Sequence, residues 1–392
     1  MNDKISSIAG RLYYEDSHIH EFEAVVTGIY ETKNGIAVTL DKTAFFPEGG
    51  GQSADTGFIG SVRVTDVRER EGEILHYVNS SLTVGEKYDC SLDWEQRYRR
   101  MQNHSGEHIV SGISHTLHGV ENVGFHMGMD GMTIDFDREL TWEELMEIER
   151  RANEAVRADL PLSARFPDSA ELETMEYRSK LELTHDVRIV EIPGIDRCAC
   201  CAPHVYRTGE VGFIKILDFM RHRGGIRVTL VCGMDALDVV RTMQENVTDV
   251  SRLLSAKRHE CGKAVERVLA EGAKQKERIA ALSMELARMK AESIPETEGS
   301  ICVFDEVLDD TALRELVNLL MDKCGLAAAA FSGNDEKGYN YIIGSKHIDL
   351  RANTRAINAG IGGRGGGRPE MIQGSASFGR ESIEEFFRSF QP

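Results

Sequence analysis

No apolar run in this sequence approaches membrane-spanning length, and the opening residues, Met1-Asn-Asp-Lys-Ile-Ser-Ser, lack the apolar core of a signal peptide. A disulfide framework is missing too. Five of the eight cysteines (Cys90, Cys232, Cys261, Cys302 and Cys324) are scattered singly, which fits a reducing compartment, so a cytoplasmic location with no membrane contact is expected. There is no basic excess: 46 Lys and Arg stand against 64 Asp and Glu, a formal charge of −18. That argues against a general nucleic-acid binder but leaves room for local basic strips. Such strips occur at Arg97, Arg99 and Arg100, at Arg221, Arg223 and Arg227, and at Arg364 and Arg368 inside a glycine run. No Gly-Lys-Ser/Thr follows either glycine-rich segment, which excludes a phosphate-binding loop of that kind. No repeat of solenoid length is present. At 392 residues the chain has room for roughly two to four domains with their own cores.

Two short groups carry the chemistry. In His104-Ser-Gly-Glu-His108 the histidines are four apart within a segment, Gln102 to Leu117, whose Ile109, Ile113 and Leu117 recur at helical spacing. Positions i and i+4 share a helical face, so His104 and His108 can reach one ion. The zinc-protease pattern fails, because Glu107 precedes the second His instead of following the first. In Cys200-Cys-Ala-Pro-His204, Pro203 marks a loop from which a Cys and a His can turn toward one metal. Together the groups offer three nitrogens and one sulfur, a set suited to tetrahedral Zn²⁺. Cys198 is an alternative thiolate to Cys200.

The rest reads as an α+β multidomain chain. Strand-like segments at 23–30, 35–40, 60–66 and 72–78, the first two joined through a Lys33-Asn-Gly35 turn, predict a small β-barrel within residues 1–93. Thr141 and Glu144 form a capping-box signature for a helix to about Asp159. Val211–Leu217 and Gly225–Cys232 read as paired strands, closing an α+β domain over 94–235. Over 236–295 a heptad seam (Val240, Met243, Val247, Val250, Leu254, then Cys261, Ala264, Val268) predicts one long helix in need of a partner, with Lys257 out of register and a stutter at Gly272. Residues 296–392 alternate strand and helix around the run Gly362-Gly-Arg-Gly-Gly-Gly-Arg368, read as a glycine loop whose amides and two guanidinium groups suit an anion. A second glycine loop, Phe45 to Gly57, holds Gly49, Gly50, Gly51, Gln52 and Asp55.

These four signals, in this order and spanning nearly the whole chain, resemble the long form of the free-standing alanyl-tRNA editing proteins, the AlaX family. The Phe45–Gly57 stretch is similar to the family's barrel motif, His104/His108 to its HxxxH, Cys200/His204 to its CxxxH, and Gly362–Pro369 to the DHH-associated domain's signature. The family's Cys is often followed by Gly-Gly-Thr, where this chain has Cys201-Ala-Pro. The resemblance implies an elongation-factor-like barrel, an editing domain of the threonyl/alanyl-tRNA synthetase type, a helical arm and a DHH-associated domain. It implies hydrolysis of mischarged tRNA(Ala), most often seryl- and sometimes glycyl-tRNA(Ala), with one Zn²⁺ per chain, the tRNA acceptor end as partner and a homodimer through the arm or C-terminal domain. With neither a synthetase activation domain nor an Asp-His-His motif, aminoacylation and phosphodiesterase chemistry are not expected. His126, in Gly124-Phe-His-Met-Gly128, falls where synthetases carry Gln and is expected to face the substrate as a proton handler. Gln52 is the other catalytic candidate; Gly49, Gly50, Gly51, Asp55, Arg364 and Arg368 are expected to bind substrate or tRNA. The competing expectations are a hydrolase of another aminoacyl ester and a non-catalytic, zinc-stabilised RNA-binding module.

Overall fold

A computed structural model describes residues 9–33, 35–128, 131–179 and 187–392. Met1–Ser7 and Asn34, in the expected turn, lie outside the described residues. One helical turn, α1 (Leu12–Glu15), leads into β1 (Glu21–Thr32), β2 (Gly35–Leu40), β3 (Gly57–Ile59), β4 (Val62–Arg70), β5 (Glu73–Val78) and β6 (Lys87–Leu92). These six close into a barrel in the order β1-β2-β5-β4-β3-β6. Alternate strand residues point inward, so Ala24, Val26, Val38, Ile59 and Val64 meet Phe45 in its core. His76 is also inside.

A layered α+β region follows. Helix α2 (Trp94–His118) starts at Trp94, earlier than the expected Gln102, and ends on left-handed Gly119. Then come β7 (Asn122–Gly128), β8 (Gly131–Phe136), α3 (Trp142–Arg157), β9 (Ser163–Arg165), α4 (Ser169–Thr174), β10 (Ile189–Ile192), β11 (Asp196–Ala199), β12 (Ile214–His222) and β13 (Gly225–Cys232). The capping box expected at Thr141 and Glu144 is present. The strand expected from Val211 begins at Ile214, because Thr208–Val211 forms a 3₁₀ turn. Antiparallel strands β12-β13-β8-β7 make one sheet, and β11-β10-β9 a smaller one. Apolar faces of α2 (Met101, Ile109, Ile113) and α3 (Leu145, Ile148, Ala152) pack on the larger sheet.

The expected single long helix is two, α5 (Gly233–Leu253) and α6 (Cys261–Ser293). Ser255 takes a left-handed φ of 49°, and the Ala256 amide donates to the Ser251 carbonyl at 3.0 Å. That six-to-one bond is a Schellman stop, its left-handed residue two positions before the heptad-breaking Lys257. The remaining elements are β14 (Ile301–Asp305), α7 (Asp310–Leu320), β15 (Ala328–Asn334), β16 (Gly338–Gly344), α8 (Leu350–Ile361), β17 (Gly363–Arg368), β18 (Met371–Ala376) and α9 (Arg380–Ser389). Their sheet runs β14-β15-β16-β18-β17, with only β14 and β15 parallel. Here the expected glycine loop is corrected: its residues form edge strand β17, paired with β18 from Gly363↔Ala376 to Arg368↔Met371. The chain divides into two compact units, Met1–Asn246 and Val247–Pro392. Among the described residues no helix is long and apolar enough to cross a membrane.

Candidate metal centre and cavity

The buried face of α2 carries His104 and His108, both 2% exposed. Gly112, one turn on, lets the helix approach the Ile195 backbone closely, since a Cβ there would collide with its carbonyl. That approach brings α2 against the loop after β11, where Ala202 and His204 are buried. The donor atoms of His104, His108, Cys200 and His204 all lie within 4.8 Å of one another. Cys200 Sγ is 3.5 Å from His104 Nε2 and 3.5 Å from His204 Nε2. Tetrahedral zinc with ordinary bond lengths sets sulfur and nitrogen about 3.6 Å apart, so this donor set fits such an ion.

Each imidazole turns Nε2 inward and is fixed from outside through Nδ1, the arrangement that orients metal-binding histidines. His104 Nδ1 donates to Gln52 Oε1 (3.1 Å), His108 Nδ1 to Asp196 Oδ2 (2.8 Å) and His204 Nδ1 to Ser105 Oγ (3.0 Å). Asp196 is held in turn by Arg178. Burial alone would raise the Cys200 thiol, but His104, His108 and His204 outweigh it and hold it well below its usual value. Burial pushes His204 down to about 3. Thiolate and neutral imidazole are the forms a metal requires. His108 goes the other way: burial lowers it, yet Glu107 and Asp196 raise it well above the ordinary range, a positive charge that a bound cation would replace. Cys198, the alternative sulfur, groups instead with His108 and Asp196.

A cavity of 420 Å³ opens beside the four donors, lined among others by Gly50, Gly51, Glu107, Phe125, Phe166 and Arg188. Gly51, at φ 82°, presses against Phe125: a Cβ would sit 2.6 Å from its ring. The barrel turn therefore forms a wall of the cavity. A larger cleft of 740 Å³, along Trp94, Arg99 and Asn103, holds none of the four donors.

Other expected site residues fall elsewhere. His126 is exposed; its neighbour Phe125 takes the inward place, its ring 4.9 Å from that of His104. Gln52 is buried, and its Oε1 meets His104 Nδ1 behind the donor cluster. Gly49 closes the turn by pairing with Gln52. Asp55 is no substrate contact: it is 2% exposed and holds the fully buried Arg97, whose Nε donates to Oδ2 at 2.8 Å. Arg364 and Arg368 are exposed on β17. Glu107 and Arg188 were not singled out by the sequence as site residues. Glu107 is 2% exposed, its Oε1 accepts from Ser111 at 2.9 Å and from Asn122, and its Oε2 lies 3.7 Å from His108 Nε2.

Residues 187–228 match the threonyl and alanyl tRNA synthetase second additional domain, residues 11–96 the class II (A) tRNA synthetases, and residues 298–391 the DHHA1 domain. The alanine–tRNA ligase of Halorubrum lacusprofundi is 31% identical over 93% of this chain and 42% of its own length. That of Methanopyrus kandleri is 33% identical over 72% of this chain and 32% of the ligase. The chain thus spans less than half the length of the ligases it matches. The alanyl-tRNA editing protein AlaX-L of Pyrococcus horikoshii is 27% identical over 95% of this chain and 96% of that protein. With three domain matches in order along one chain and likeness to AlaX-L from end to end, this chain belongs to the family that joins the alanyl-tRNA editing proteins to the matching part of alanine–tRNA ligases.

Proposed function

We propose that this chain is a trans-editing hydrolase that deacylates mischarged tRNA(Ala), with seryl-tRNA(Ala) as first substrate and glycyl-tRNA(Ala) as second. The observation that carries the reading is the convergence of His104, His108, Cys200 and His204 beside a cavity of 420 Å³. In this reading residues 1–93 are the barrel, 94–235 the editing domain, 236–295 the helical arm and 296–392 the DHH-associated domain, in a cytoplasmic protein.

Those four residues would hold one zinc ion per chain, which would supply a positive field favouring negative charge on substrate oxygen. Because four protein ligands fill a tetrahedral shell, the chain's own groups do the rest. An aminoacyl ester is already activated, so positioning and water placement supply most of the rate. Glu107, in the cavity and fixed by Ser111, is placed to accept a proton from the attacking water. Phe125 and Gly51 shape the wall against which the amino acid lies. Serine is told from alanine if the wall bonds the hydroxyl, since losing that partner costs several orders of magnitude. Arg364 and Arg368 contact tRNA phosphates, and the exposed apolar residues of α5 and α6, among them Met243, Leu253, Leu269 and Ile279, meet a second copy of the chain.

His104→Ala or Cys200→Ala should release zinc and abolish deacylation of seryl-tRNA(Ala). Metal analysis and a deacylation assay with tRNA(Ala) charged with serine, glycine or alanine check this. Full turnover by either variant would defeat the assignment, and a wild type that binds zinc and tRNA but hydrolyses nothing would favour a binding module.

A further inference from the structure

Arg188 lies just before β10 and is only 6% exposed. Its Nη1 donates to the Cys200 carbonyl at 3.1 Å and to the Ala202 carbonyl at 2.8 Å. Its Nε is buried without an acceptor, and among the described residues nothing accepts from Nη2 and no carboxylate pairs with the guanidinium. Cζ lies 5.2 Å from the centroid of the Tyr14 ring, and the residue lines the same cavity as His104 and Phe125. A buried guanidinium whose Nε has no acceptor is costly unless something completes it. The unused Nε–Nη2 edge is the fork that receives two oxygens of one anion.

We propose that Arg188 is an anion-binding residue of this cavity, its Nε–Nη2 edge taking the paired oxygens of a phosphate or carboxylate carried by the ligand. This rests on the cavity being the seat of an aminoacylated nucleotide end. Such a ligand brings either the phosphate of its terminal nucleotide or, after hydrolysis, the carboxylate of the released amino acid. A residue that only clamped the metal loop would need Nη1 alone. Here Nη1 is engaged by the loop, while Nε, on the other edge, is left without an acceptor.

Calorimetric titration of the zinc-loaded full chain with AMP, serine and adenosine separates the sources. In Arg188→Gln, AMP or serine affinity should fall on the order of tenfold or more, while zinc stoichiometry and adenosine binding stay as in the wild type. A loss confined to AMP assigns the phosphate, and one confined to serine the carboxylate. Arg188→Lys keeps the charge without the fork and should recover part of the affinity. If Arg188→Gln does not fold, Arg188→Lys alone should still bind the anionic probe more weakly than wild type. Unchanged AMP and serine binding in the variants overturns the inference, as does a wild type that binds neither. A parallel fall of all three probes together with zinc overturns it too, since that marks a loop clamp. A wild type that binds AMP through Arg188 yet leaves seryl-tRNA(Ala) intact would sink the proposed function and leave this inference standing.

Discussion

His76 sits wholly inside the barrel, where its Nδ1 donates to the Val38 carbonyl at 3.1 Å and its Nε2 accepts from the Thr43 hydroxyl at 2.8 Å. Burial pushes its pKa from the ordinary 6.5 to about 4. The folded barrel thus resists a proton that the unfolded chain accepts. Its stabilising effect is complete above pH 6.5 and is lost as the pH falls toward 4, by up to about 3 kcal/mol. Urea denaturation across that range should show His76→Gln with a flatter stability profile than wild type; parallel profiles would contradict this. The four candidate ligands were legible because both pairs are local, each four apart in sequence. Arg188 and Asp55 were not, since what defines each is distant: the Cys200–Ala202 carbonyls for the one, Arg97 for the other. The exchange of His126 for Phe125 has another cause. Between Asn122 and Gly124 the register of β7 shifts, and one extra residue in a strand reverses which side chains face in.

Among the elements, the barrel and the capped helix α3 were read correctly because alternation and capping boxes are local codes. The break between α5 and α6 was hidden because its left-handed residue is Ser255, where such stops usually carry Gly. Ser255→Gly should therefore stabilise the chain by about 1 kcal/mol, visible as a higher denaturation midpoint. Destabilisation instead would mean that the serine side chain holds the stop. The glycine run was misread for a related reason: composition marks flexibility, but pairing with β18 makes it a strand. Strand spacing places Arg364, Gly366 and Arg368 on one face, with open space over Gly366. The helices leave Val247, Leu253, Val268 and Leu269 exposed. A second copy covering them predicts a solution mass twice the 43.7 kDa of the chain, by light scattering; a monomer at all workable concentrations would rule it out.

For the molecule as a whole, charge sets the terms of any encounter with RNA. A chain of net charge −18 repels a polyanion except where cations gather. Arg351, Arg355, Arg364 and Arg368 are exposed, and among the described residues none of them has a carboxylate partner. If Arg364 and Arg368 neutralise phosphates, replacing both with Gln should weaken tRNA binding and flatten its dependence on salt by roughly one logarithmic unit per lost contact. Weaker binding with the salt slope unchanged would point to a folding defect.

The turn at Gly51 has a further consequence. Because a piece of the barrel closes the chamber over Phe125, a fragment that starts at Trp94 would keep all four candidate metal donors and still have a hole in its side. Barrel and donor-bearing layer are in this sense one instrument, and a homologue's barrel grafted on in its place would fit only if its turn were as bare at that point as this one.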